Sequence, residues 1–180
     1  DVCSSDLTAF LNTGDSTIAP YFMTNGAGIR EVETNRVYPD DVVNESHTDG
    51  LIYAGAMWDL LDLLEQQYGE EEGYAITVDL FTNSIKAGPD LTTIYDEMVA
   101  ADDDDGDLGN GTPHICAINE AFGEHGLGPG GDGVLMRLDH TILGNADADR
   151  AAYGLEATIT NLAPDCAEFN PTEAVVHWSL

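Results

Sequence analysis

The sequence predicts a mainly helical bundle in residues 8–128, followed by an incomplete β-sandwich in residues 134–180. Two observations support this fold class. Apolar residues recur at helical spacing through the first part, and beyond residue 133 they recur at the two-residue spacing of strands. Residues 129–133 are Gly-rich and predict a linker between the two parts.

Four amphipathic segments account for the predicted bundle. The first and longest begins near Ser46, and the others follow it with short connections. Gly88-Pro89 ends the second, Asp90 or Thr92 caps the third, and Thr112-Pro113 opens the fourth. The apolar residues at helical spacing, helix by helix, are Ala54, Met57, Leu60, Leu61, Leu63 and Leu64; Tyr74, Val78, Phe81 and Ile85; Leu91, Ile94, Tyr95, Met98 and Val99; and Ile115, Ile118 and Phe122.

The chain before the long helix is predicted to be mostly loop. Residues 8–45 are rich in Gly, Asn, Asp, Thr and Pro, and only residues 7–11 suggest the end of a helix. Arg30 and Arg36 are two of only five basic residues, so each is expected to pair with a carboxylate. Residues 1–7 match one reading frame of a common sequencing-adapter end, and we expect this segment to be non-native.

The predicted β-domain has three candidate strands, at residues 134–138, 153–159 and 174–178. Three strands cannot close a sandwich, so this domain is expected to be truncated.

The net charge of the chain excludes some classes of binding partner. The chain has 5 Lys and Arg against 34 Asp and Glu, which gives a formal net charge of −29. Such a surface cannot neutralise phosphates, which excludes a nucleic-acid or anionic-membrane partner. No run of 18 apolar residues is present, so no membrane span is predicted. A salt-rich or calcium-rich habitat, or acidic loops that hold cations, would explain the charge.

Two sequence blocks carry a family resemblance. The first is His47-Thr48-Asp49-Gly50, followed by Tyr53 and by Ala54-Gly55-Ala56-Met57-Trp58-Asp59-Leu60. The second runs from the acidic residues 102–107 through Asn110-Gly111-Thr112-Pro113-His114 into the fourth helix. Together they resemble the helical C-terminal half of the catalytic domain of gluzincin metallopeptidases, the thermolysin-like and fungalysin-like zinc proteases. The resemblance covers roughly residues 8–128.

This resemblance implies a secreted, extracellular zinc metalloendopeptidase that cleaves protein or peptide substrates. In the family, a histidine of the helical half donates a hydrogen bond to the oxyanion, and His47 matches its position. A ring N–H directed at developing negative charge stabilises the transition state more than the ground state. An upstream aspartate orients this histidine in the family. Asp41 is the first candidate here, with Asp40 and Glu45 as alternatives.

The zinc-binding motif of that family, His-Glu-x-x-His, does not occur among these 180 residues. We therefore expect the chain to be a fragment that begins after the metal site, to lack catalytic zinc ligands, and to be inactive alone. One alternative is a non-catalytic, calcium-binding helical module of an extracellular protein. Another is a degenerate, inactive peptidase-like domain.

Two further candidate sites involve a cation and a disulfide. Asp103, Asp105 and Asp107 alternate around Gly106, loosely as at the start of a calcium loop, but no Glu occupies the twelfth position. A solvated acidic loop is the alternative to calcium binding. Cys116 and Cys166 either pair across the domain junction or remain two buried thiols.

Overall fold

The computed structural model describes residues 4–129, 136–140, 156–161 and 166. Five α-helices dominate this part of the chain, and the predicted mainly helical character is confirmed. They are α1 (Ser4–Thr13), α2 (Ser46–Tyr68), α3 (Glu70–Ser84), α4 (Ile94–Asp102) and α5 (Ile115–Glu124). Short 3-10 turns follow α3 at Ile85–Ala87 and precede α5 at Leu108–Asn110.

Helix α2 is the centre of the core and packs against α1, α3 and α5. Its predicted apolar stripe lies as expected, because Ala54, Met57, Leu60 and Leu64 are fully buried, while Leu61 and Leu63 are half-buried at its edges. Ile52 and Tyr53 are also fully buried, so the first half of α2 is enclosed on most sides. Burial raises the pKa of the Tyr53 hydroxyl, which shares a hydrogen bond with Ser84.

The predicted inward face of α3 is wrong by about one position. Tyr74 is 41% exposed, and Val78 is only half-buried. The buried residues of this helix are Gly73, Thr77, Leu80, Phe81 and Ser84. The reason is the close crossing at Gly73, where an added Cβ would lie 2.5 Å from the Glu65 backbone nitrogen. Small residues let the two backbones approach, and this contact determines which face of α3 turns inward.

Helices α4 and α5 follow the prediction more closely. Ile94 and Met98 of α4 are fully buried, and Ile115, Ile118 and Phe122 of α5 all face the core. Each helix begins later than its predicted cap, with Thr93 and His114 as the N-cap residues. Asp90 instead forms the preceding turn by accepting hydrogen bonds from Thr92, which lower the pKa of its carboxyl.

The segment between α1 and α2 is mainly loop, as predicted, and contains one short antiparallel pair. Strand β1 (Thr17–Ile18) pairs with β2 (Arg30–Glu31). Arg30 forms a bidentate ion pair with Asp6 of α1, which is the carboxylate partner expected for this arginine. Arg36 donates only a long hydrogen bond, 3.5 Å, to the Asp41 backbone carbonyl. Within the segment predicted to be non-native, Leu7 is fully buried.

A second antiparallel pair lies in the region predicted to be a β-domain. Strand β3 (Met136–His140) pairs with β4 (Ala157–Asn161), with Leu138 opposite Ile159. Of the predicted strand at residues 153–159, residues 157–159 lie in β4 and residues 153–155 lie outside the described residues. The whole of the predicted strand at 174–178 also lies outside them. A disulfide joins Cys116 of α5 to Cys166. None of the helices in the described ranges is both long and apolar enough to cross a membrane.

Candidate functional site

The start of α2 is held by a dense set of side-chain-to-backbone hydrogen bonds. The Glu45 carboxylate, at the N-cap, accepts hydrogen bonds from the backbone N–H groups of His47 and Thr48, at 3.1 and 2.8 Å. The Asp49 carboxylate reaches back and accepts from the backbone N–H groups of Val43 and Glu45. These bonds satisfy N–H groups that a helix start leaves unpaired. The first turn is therefore fixed in position.

His47 lies in this first turn and is exposed, whereas α2 becomes buried from Gly50 onward. The histidine is thus presented at the surface by a helix that the core holds rigidly. Hydrogen bonds from the Thr48 side chain and from the backbone of His47 and Thr48 lower the pKa of the Glu45 carboxyl, and the nearby His47 ring lowers it further. Glu45 therefore stays ionised to a lower pH than an unperturbed glutamate does.

Asp41, the predicted orienting residue, closes its own turn. Its carboxylate accepts a hydrogen bond from the Val37 backbone N–H at 2.8 Å, and its backbone N–H donates to the Val37 carbonyl. The Tyr38–Pro39 peptide bond within this turn is cis. The Glu45 carboxylate interacts electrostatically with the His47 ring. The role of Asp41 toward His47 stays a prediction.

His125 anchors the loop that leads into this site. It follows the last residue of α5 and is 2% exposed. Its Nδ1 lies 2.7 Å from the Arg36 carbonyl oxygen, and its Nε2 lies 2.9 Å from a carboxylate oxygen of Asp59. A carbonyl oxygen can only accept, so Nδ1 carries a proton. Through these two contacts the buried ring links α2, α5 and the loop.

Gly55 is the residue of α2 that makes room for this arrangement. A Cβ at this position would lie 2.5 Å from His125 Cε1 and 2.7 Å from the Thr34 carbonyl oxygen. The Gly in the family-like motif Ala54-Gly55-Ala56 thus has a packing role.

A second buried polar cluster surrounds Asp102 at the end of α4. Its side chain is 2% exposed and accepts hydrogen bonds from the Thr112 hydroxyl at 2.6 Å and the His114 backbone N–H at 2.7 Å. The His114 Nδ1 lies 2.5 Å from its other oxygen. The Tyr68 ring packs edge-on against the His114 ring. Asp102 therefore ties the Asn-Gly-Thr-Pro-His segment to α4 and sets the start of α5.

The acidic loop brings together a different set of carboxylates from the predicted one. Ligand atoms of Asp103, Asp104 and Asp105 lie within 4.8 Å of one another, and within the described ranges no other group of three metal-binding side chains does so. Asp107 instead caps the following 3-10 turn by accepting from the Gly109 backbone N–H. Asn110 and the Asp107 backbone donate to Asp105, and these hydrogen bonds lower the pKa of its carboxyl.

This group does not fit a catalytic zinc. Zinc favours nitrogen and sulfur ligands, and the three carboxylates offer only oxygen on an exposed loop, which suits a hard cation such as calcium. The described residues therefore supply no zinc site of the gluzincin type.

The role predicted for His47 stays a prediction, and sequence reasoning missed Asp59 and Asp102 as organising residues. Asp59 and His125 are 66 positions apart in the sequence, so no local spacing reveals their contact. Asp102 and Thr112 are 10 positions apart. No protein-family model, no curated protein and no solved structure was found to match this chain.

Proposed function

We propose that this chain is the helical half of the catalytic domain of a secreted zinc metalloendopeptidase, with His47 as the donor to the oxyanion. One observation supports it most strongly. His47 is an exposed histidine on a first helical turn that hydrogen bonds from Glu45 and Asp49 hold in place. A preorganised donor of this kind needs no rearrangement when charge develops during the reaction.

Two sets of contacts hold the first turn of α2 in the fixed position that a preorganised donor requires. Beneath the first turn, α2 is buried from Gly50 to Met57. Beside it, the loop at Arg36 is fixed by the buried His125, which also binds Asp59 of α2. The backbone at His47 is therefore held in place, and the residue is exposed at the surface.

The proposal requires zinc to be bound by residues outside this sequence, because His-Glu-x-x-His is absent from all 180 residues. Zinc would supply the activated water in the intact enzyme. The role of the present residues is limited to His47 hydrogen bonding and to the carboxylates that hold its helix turn. The 180-residue chain alone should show no zinc-dependent proteolysis.

The experiment is His47→Ala in the intact enzyme, measured with casein or a peptide substrate. We expect kcat to fall by about 10²–10³, the effect typical of losing one oxyanion donor, and KM to change much less. His47→Gln retains an N–H donor and should keep part of the activity. Zinc content should be unchanged in both variants.

Ser46→Ala is the matched control, since Ser46 is also exposed and lies in the same helical turn. It should leave kcat within about twofold of the parent enzyme, well below the loss expected for a transition-state donor. A His47→Ala enzyme with normal kcat, or one that loses its zinc, would disprove the assignment. If the assignment holds, comparing kcat of Glu45→Gln with that of Asp41→Asn shows which carboxylate positions the ring.

The alternative of a non-catalytic, calcium-binding module is favoured by one observation, the proximity of Asp103, Asp104 and Asp105. Under this alternative, the complete coding sequence contains no His-Glu-x-x-His motif. Recovery of the complete coding sequence distinguishes the two functions directly.

A further inference from the structure

A cleft of about 570 Å³ lies between α1, α2 and α3. Phe10, Trp58 and Leu61 contribute apolar surface to its lining. The rings of Phe10 and Trp58 meet edge to face with centroids 5.7 Å apart. The volume falls within the range of about 300–1,000 Å³ that is common for ligand pockets.

Four carboxylates line the same cleft, namely Asp62, Glu65, Glu70 and Glu71. Among the residues that the structure describes, no lysine or arginine lines it, and none of their ion pairs involves these four carboxylates. Gln66 donates a hydrogen bond to Asp62, which is a neutral partner. Burial, followed by the charges of Glu70 and Asp62, raises the pKa of the Glu65 carboxyl. The cleft thus combines apolar surface with uncompensated negative charge.

The cleft is preformed by contacts between the helices. The Tyr74 hydroxyl donates a 2.6 Å hydrogen bond to the Leu11 carbonyl oxygen, which connects α3 to α1. Gly73 packs directly on the backbone of Leu64 and Glu65, which brings the start of α3 against α2. The carboxylates at the start of α3 are thereby held beside those of α2. Like charges placed together in this way repel each other unless a cation lies between them.

We propose that this cleft binds an arginine side chain presented by a protein partner. The aliphatic stem and planar guanidinium would lie on Trp58 and Leu61, and the charged N–H groups would reach the carboxylates of the rim. Charge complementarity identifies the class of occupant, because four carboxylates and the aromatic rings of Phe10, Trp58 and Tyr74 line the cleft together.

Arginine fits this chemistry better than lysine does. Its guanidinium stacks on an aromatic face and donates hydrogen bonds in a fork that suits carboxylates, whereas an ammonium is a compact and strongly hydrated charge. A protein segment also fits the space better than a single free amino acid does, because the cleft extends over three helices and opens to solvent at the exposed Glu70 and Glu71.

The cleft is separate from the proposed oxyanion site. Its α2 residues begin at Trp58, 11 positions after His47, which is about 16 Å at the rise of an α-helix. The inference therefore does not depend on peptidase activity, and its test does not measure hydrolysis.

The sequence contains two tryptophans. The test uses the 180-residue chain with Trp178→Phe, so that Trp58 is the only tryptophan that remains. The probe is an acetylated and amidated pentapeptide with one central arginine, titrated at 0.15 M salt. Its partner peptide carries citrulline, which has nearly the same shape and no charge. We expect the arginine peptide to change Trp58 fluorescence with saturation, and the citrulline peptide to bind at least about tenfold more weakly.

Two charge-matched double variants complete the test. Asp62→Asn with Glu65→Gln removes two rim carboxylates and should weaken binding of the arginine peptide by about tenfold. Asp103→Asn with Asp104→Asn removes the same charge from the acidic loop and should change binding less than twofold. Equal binding of the two peptides, or equal loss in both double variants, would overturn the proposal. Tighter, Glu65-dependent binding of spermidine would overturn the choice of a protein side chain.

Discussion

Asp102 makes several buried hydrogen bonds that the sequence pattern did not predict. Its buried carboxylate accepts hydrogen bonds from the Thr112 hydroxyl and the His114 backbone N–H, and it also contacts the His114 ring nitrogen. Asp102→Ala leaves these donors unpaired in the interior, and we expect it to lower the free energy of unfolding by about 2–4 kcal/mol. Urea denaturation measures this change. The exposed neighbour Asp104 provides the control, since Asp104→Ala should stay within about 0.5 kcal/mol.

A loss for Asp102→Ala no larger than that for Asp104→Ala would show that the Asn-Gly-Thr-Pro-His segment is held by other contacts.

Glu65 makes stability depend on pH with a definite sign. Its pKa is raised above 4.5 by burial and by the charges of Glu70 and Asp62. The folded protein holds this proton more tightly than the unfolded chain does, so stability is lost as pH rises from about 4.5 through the folded-state pKa. Glu65→Gln removes this loss and should increase the urea midpoint at pH 7 in low salt. Asp79→Asn, exposed and outside the cleft, is the control.

The advantage of Glu65→Gln should disappear below pH 4, where the parent carboxyl is protonated in both states. A variant less stable than the parent at pH 7 would contradict the repulsion on which the cleft proposal relies.

Single residues were predictable from sequence where their role is local. The start of the long helix near Ser46 is such a case, because it lies just ahead of the apolar stripe that begins at Ala54. The contact between His125 and Asp59 could not be predicted, because it joins residues 66 positions apart and depends on how α5 packs against α2. The carboxylate beside His47 was ambiguous for a similar reason, since the turn geometry at Asp41 decides where its oxygens lie.

The crossing of α2 and α3 depends on Gly73. An added Cβ would lie 2.5–2.6 Å from backbone atoms of Leu64 and Glu65, and backbone cannot move aside as a side chain can. Gly73→Ala should therefore destabilise the protein by about 1–3 kcal/mol, although alanine favours a helix by roughly 1 kcal/mol over glycine. Thermal or urea unfolding measures the change.

Glu72→Ala, exposed and adjacent in α3, is the matched control and should be nearly neutral. A neutral Gly73→Ala would mean that the two helices can separate without loss, and the cleft would then not be preformed.

Helix existence was easier to predict than helix orientation. All four predicted helices are present because their apolar residues recur at a period that only a helix places on one side. The face of α3 was missed because periodicity counts large apolar residues, whereas the contact at Gly73 depends on the absence of a side chain. Helices α4 and α5 begin later than predicted, because Asp90 and Thr112 form turns before their helices and do not cap them.

At the level of the whole molecule, charge is the dominant property. Only five Lys and Arg oppose 34 Asp and Glu. In the His114–Asp102 and His125–Asp59 pairs, the partner of the carboxylate is an imidazole, which is charged only when it is protonated. Most carboxylates therefore have no basic partner. The fold must be stabilised by its core and by the Cys116–Cys166 disulfide against considerable self-repulsion.

This repulsion predicts that salt stabilises the protein. Raising NaCl from about 0.01 to 1 M shortens the screening length from roughly 30 to 3 Å, and so weakens repulsion between exposed carboxylates. Each 1 kcal/mol of relief should raise Tm by about 2–4 °C in a chain of this size. Calorimetry over a NaCl series measures the slope, and a flat or falling Tm would contradict the electrostatic argument.

Calcium at constant ionic strength separates screening from binding. A cation held by Asp103, Asp104 and Asp105 stabilises only the folded state, so Tm should rise with the logarithm of calcium concentration above Kd. Magnesium at the same concentration provides the control, because its smaller ion demands stricter octahedral geometry. Asp103→Asn with Asp105→Asn should abolish the calcium response and leave the NaCl response intact. Equal effects of calcium and magnesium in both proteins would leave the acidic loop as a solvated surface.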